Sequence, residues 1–156
     1  MKRTLSLLLI LSFLWTPLAE AAVRGKSARY VGGTLSAFKD AVDGTWDMTE
    51  SEVVFSADKG GGKVSIPYAR IESIEYGQKA GRRVGVALVV NPLFLFSKKR
   101  KHFVSISFMD AEGKKQGAVF ELAKNIVKES VMALETKSGK KVEFESDDAK
   151  KHFEKQ

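Results

Sequence analysis

The chain of 156 residues contains no cysteine. A disulfide framework is therefore excluded, and so is attachment to a membrane through a lipidated cysteine; the fold must stand on its core alone. Histidine is almost as scarce. His102 and His152 are the two present, far apart in sequence, and make a poor metal set. No HExxH, GxSxG or CxxC pattern occurs. The stretch Gly60-Gly61-Gly62-Lys63 fails the spacing of a phosphate loop, because Ala57 stands where the first glycine is required. Asp147-Asp148 lacks the further oxygen ligands of a calcium loop. His102 follows four cations, which disfavour its protonated form. No serine or carboxylate is tied to it by a recognisable motif. These absences point away from catalysis, and no cofactor or metal is expected.

What is present begins with the amino terminus. Lys2 and Arg3 precede the apolar stretch Leu5 to Trp15, Pro17 follows, and Ala19-Glu20-Ala21 has the small-x-small form of a cleavage site. Residues 1–21 thus read as a secretory signal, and the expected location is exported, periplasmic or secreted. The alternative is a membrane anchor left uncleaved, although the apolar stretch is short of the roughly 20 residues that a span needs. About 135 residues remain, enough for one ordinary domain. In an exported chain the basic run at 98–102 is not expected to meet nucleic acid.

The net charge is +7, of which Lys2, Arg3 and Glu20 supply +1 and the remainder +6. The excess sits in two clusters, Lys79/Arg82/Arg83 and Lys98/Lys99/Arg100/Lys101, which bracket the apolar run Val84 to Phe96. A single cluster of this kind is usually a solvated surface. Two clusters around one apolar run suit an anionic surface that both can meet at once.

Along the chain, residues 22–29 read as a loose leader. Short segments of β character follow: Tyr30 to Leu35, Gly44 to Met48, Glu52 to Ala57, Val64 to Tyr68 and Ile71 to Tyr76. Thr49-Glu50-Ser51 and the loop Asp58 to Gly62 are the turns between them. Pro67 cannot donate to a ladder, so its nitrogen is expected at a sheet edge or a bulge. Val84 to Val90 suits a strand buried on both faces, and Asn91-Pro92 marks a turn before Leu93, Phe94, Leu95 and Phe96. Val104, Ile106 and Phe108 alternate with Ser105 and Ser107, and Gly117 to Leu122 returns after the loop 110–115. The period then changes to that of a helix over about 123–138, with Ala123, Ile126, Val127, Ser130, Val131 and Leu134 on one face. Lys137 and Gly139 provide its stop. Val142 and Phe144 add a short extended end, and 146–156 is a charged tail expected to fray, with His152 solvated.

Gly44 to Phe55 resembles the opening of bacterial PH-like and GRAM-like domains: a glycine, a short strand, a Thr-led turn and a strand ending in an aromatic. Val64 to Tyr76 is similar to the I-P-x-x-x-I-x-x-I segment of that family, and a terminal helix belongs to the same pattern. The resemblance covers roughly Tyr30 to Ser138. It implies a mainly β (α+β) domain over 30–145, a bent antiparallel barrel of about seven strands capped by one C-terminal amphipathic helix. It also implies a noncatalytic binding module for acidic headgroups or protein segments.

The functional expectation is a module of the cell envelope that meets an anionic membrane surface or lipid. The residues carrying it are Leu93, Phe94, Leu95 and Phe96 as the apolar loop, with Lys98, Lys99, Arg100, Lys101, Arg82 and Arg83 as the basic cluster. Phe94 and Phe96 either pack inside the domain or form an exposed patch of the kind that marks an interaction site. The alternative is an adaptor that docks an envelope protein through the same patch or through a sheet edge near Pro67. The oligomeric state is left open.

Overall fold

The computed structural model describes residues 23–78 and 101–155. The chain is mainly β. A curled sheet forms a half-barrel and two helices pack against it. The strands are β1 (Lys26–Gly33), β2 (Val42–Met48), β3 (Glu52–Ala57), β4 (Lys63–Pro67), β5 (Ile71–Gly77), β6 (His102–Met109), β7 (Lys115–Leu122) and β8 (Val142–Phe144). The helices are α1 (Lys124–Ser138) and α2 (Asp147–Glu154). The sheet order is β4-β3-β2-β1-β7-β6-β5-β8. All pairs are antiparallel except β5–β8, which is parallel. Bulges lie between Tyr30 and Gly32 on β1 and between Ile71 and Ser73 on β5. Extra residues of this kind add local twist and help a sheet to curl.

The local chemistry explains the turns. Thr49 Oγ1 accepts the Glu52 amide at 3.1 Å, closing the β2–β3 reversal. Gly60 and Gly61, both at positive φ, close β3–β4. β4 is an outer strand of the sheet, so Pro67 stands where a missing N–H disturbs no ladder, as its sequence position requires. Lys63 and Pro67 together blunt that edge against further pairing.

The concave face carries the core. Tyr30, Trp46, Phe55 and Phe120 meet at its centre, with ring centroids 5.1–5.9 Å from Phe120. Ile74, Tyr76, Val104 and Ile106 continue it along β5 and β6. α1 lays Ile126, Val127, Ser130, Val131 and Leu134 into this face. The amphipathic period of the sequence therefore reads correctly, and the helix stops on Gly139 at φ 69°, whose N–H donates to the Glu135 carbonyl at 2.9 Å.

Several expectations differ from the structure. There are eight described strands rather than seven and two helices rather than one, and the sheet is mixed. The stretch 22–29 is no loose leader throughout: Lys26 to Arg29 already belong to β1, and Val23 is buried, its carbonyl accepting the Met48 amide at 2.7 Å. The tail 146–156 is not frayed. Ser146 caps α2 by accepting the Ala149 amide at 3.2 Å, Asp147 and Asp148 occupy the favourable first turn, and Ala149 and Phe153 are buried. The packed core thus extends past both ends of 30–145. β6 is buried along both faces, so Ser105 and Ser107 are covered as well as their apolar neighbours. The signal expected at 1–21 and the strand expected at Val84 to Val90 lie outside the described residues.

Candidate functional site

β5 ends at Gly77 and β6 begins at His102, and Gly77 faces Phe103 across the ladder. The ends of the two strands that flank residues 79–100 are thus direct partners in the sheet. Leu93, Phe94, Leu95, Phe96, Lys98, Lys99, Arg100, Arg82 and Arg83 all belong to this connection in the sequence and lie outside the described residues. What is described is its root, built from the ends of β5, β6 and β7 and from α2.

Lys101 is the one residue of the basic quartet among the described residues. Its Nζ donates to Glu121 Oε2 at 2.9 Å, with side-chain exposures of 30 % and 22 %. A half-exposed pair of this kind stabilises by about 0–1 kcal/mol, but it commits part of the Lys101 charge to the protein itself. Arg29 and Asp43 pair beside it at 3.3 Å. A cavity of about 340 Å³ lies among Ser27, Arg29, Asp43, Asp58, Lys101 and Glu121. Its lining mixes both signs of charge.

On the concave side of the same root the two histidines meet. His102 points the same way as Tyr76, its diagonal neighbour across the ladder. The Tyr76 hydroxyl and His102 Nδ1 are 2.7 Å apart, a buried hydrogen bond in which the hydroxyl donates when Nδ1 carries no proton. His152 of α2 stacks on His102 with centroids 5.7 Å apart and planes 11° apart. Phe153 packs on Tyr76 at 5.0 Å and on Phe144 at 5.5 Å. Glu145 accepts the Gln78 amide at 3.0 Å and so ties the end of β5 to the segment before α2. Burial pushes the His102 imidazole below its ordinary value of 6.5; His152 and Lys124 push it the same way, and Glu121 opposes them.

This arrangement corrects the solvated reading of His152, which stands against a ring of the core. Sequence reasoning missed the pair because nothing in a linear pattern places α2. The signal for α2 itself was present: Ser146-Asp147-Asp148 is a helix start, and Ala149, His152 and Phe153 follow at helical spacing. The rings of the root pair with one another, and among the described residues no group of three or more His, Asp or Glu side chains is placed to hold a metal ion. Among those residues, too, no helix is long and apolar enough to cross a membrane.

No protein-family model matches the sequence, and no curated protein matches it either. Among solved structures, the chain is similar to the C-terminal domain of an unknown protein from Leishmania infantum. The identity is 11 %, the match covers 84 % of this chain and 92 % of that one, and the TM-score is 0.40. A likeness of that size carries no argument about what either protein does.

Proposed function

We propose that this chain is an exported, noncatalytic binding module of the cell envelope that engages an anionic membrane surface or lipid through the connection between β5 and β6. The observation that carries the reading is one of placement. An apolar run ending in Leu93, Phe94, Leu95 and Phe96, flanked by Arg82/Arg83 and by Lys98/Lys99/Arg100/Lys101, stands in the sequence between β5 and β6, whose ends pair directly, Gly77 with Phe103. A PH-like domain is the framework this reading favours, supported by the run of seven antiparallel strands followed by α1; β8 and α2 are additions to that plan.

The energetics favour a combined mode. Each cation near an anionic surface contributes about 1 kcal/mol. With Lys101 engaged by Glu121, Lys98, Lys99 and Arg100 would together contribute about 3 kcal/mol before screening. That is too weak to hold the protein alone, so insertion of the apolar residues must contribute the rest.

Co-sedimentation with vesicles tests this directly. Binding to phosphatidylglycerol vesicles should exceed binding to phosphatidylcholine vesicles and should weaken between 50 and about 500 mM salt, as screening shortens to a few ångströms. Equal binding to both vesicle types removes the reading. If neither vesicle binds, the adaptor alternative, with an envelope protein on the same patch, takes its place.

A further inference from the structure

We infer that the His102–His152 stack is an acid-sensitive clasp, holding α2 against the sheet at neutral pH and releasing it in acid. The inference stands on the described root alone and does not depend on the membrane reading.

α2 has eight residues, too few to be a stable helix away from a partner surface. Its helicity therefore depends on docking. It docks through one face, Ala149, His152 and Phe153, at the spacing of a single helical stripe. Phe153 rests on Tyr76 and Phe144, while His152 rests on His102. A titratable ring of the helix thus sits against a titratable ring of the sheet.

The charged surroundings decide which state of that pair is tolerated. From α2, His152 faces His102; from the start of α1, Lys124 faces it; from β7, Glu121 does so. Glu121 is already engaged by Lys101, the residue before β6. From β5, the Tyr76 hydroxyl meets Nδ1. Glu145, beside the end of β5, is occupied by the Gln78 amide. A proton on His102 therefore meets the Lys124 cation and one carboxylate already engaged by Lys101, and charge on the facing His152 ring opposes it as well. It also turns Nδ1 into a donor, so the Tyr76 hydroxyl must give up donating to it.

The sign follows by linkage. Docking of α2 covers His102 and sets His152 against it, so the docked state holds the ring less protonated than the released state does, and release takes up protons in acid. The stabilising contribution is complete above the ordinary value of 6.5 and is lost as pH falls through the lower folded value.

Amide hydrogen exchange on the full chain, corrected for intrinsic rates, reads the clasp. Between pH 7.5 and 5.5, protection at Lys150 to Phe153 should fall several-fold, about ten-fold being the most that one imidazole of ordinary value 6.5 supplies over that span, while amides of β6 and β7 hold theirs. In His102→Gln, which removes the titrating ring, the same comparison should change less than two-fold. Should that variant lose α2 at both pH values, Tyr76→Phe decides: without the hydroxyl that favours the neutral ring, release should move to higher pH. Equal protection of α2 at both pH values in the unaltered protein overturns the inference. So does a wild-type pH response in both variants.

Discussion

Phe120 touches three other rings, Tyr30, Trp46 and Phe55, and is fully buried where β7 crosses the centre of the sheet. Truncating it removes both transfer energy and the contacts its neighbours make, because a β core relaxes only in part. Phe120→Ala should cost about 3–5 kcal/mol, read as a lower urea midpoint with an unchanged slope. Ser130 has the opposite sign. It lies fully buried on the inner face of α1, and its hydroxyl finds no hydrogen-bond partner among the described residues. Alanine there removes an unsatisfied group and is the better helix former, so Ser130→Ala should stabilise by about 1 kcal/mol in the same measurement. Gly44 marks a third kind of site. A Cβ at that position would stand 2.3 Å from the Ser56 carbonyl oxygen and 2.7 Å from the Phe55 ring. Only glycine lets β2 approach β3 here, and Gly44→Ala should destabilise by pushing the strands apart. At this scale the sequence was legible where a residue's role depends on its own neighbours, as with Pro67 and Gly139. It was not legible for His152, whose environment is made by residues of β6.

At the scale of elements, α1 and the hairpins β2–β3, β3–β4 and β6–β7 could be read from period and turn chemistry, because each is specified by contacts within a short span. β8 pairs in parallel with β5 across more than 60 residues of chain, Ile74 facing Val142. Nothing local announces such a pairing. α2 had its cap and its stripe in the sequence, yet a balanced run of charges masks an eight-residue helix unless its docking surface is known. Phe153→Ala should expose that dependence. It removes the ring on Tyr76 and Phe144, so exchange protection of α2 should disappear while the strands keep theirs. A loss of protection throughout the sheet would instead make α2 part of the cooperative core.

For the whole molecule, the mainly β class, the curl of the sheet and the helix after the last long strand were all readable. Strand count and the extension of the core beyond 30–145 were not, since both depend on what the two ends of the chain pack against. The candidate binding residues were recognisable only by composition, apolar beside basic. The ladder adds that the strand ends flanking them, Gly77 and Phe103, are direct partners. That register makes one replacement decisive. Residues 80–100 can be exchanged for a two-residue Asn-Gly turn joining Lys79 to Lys101, the positions that the Gly77–Phe103 register sets opposite one another, a connection that suits antiparallel neighbours. The account predicts retained exchange protection in β5 and β6 and loss of binding to phosphatidylglycerol vesicles. A shortened chain that folds and still binds those vesicles as the full chain does would contradict it.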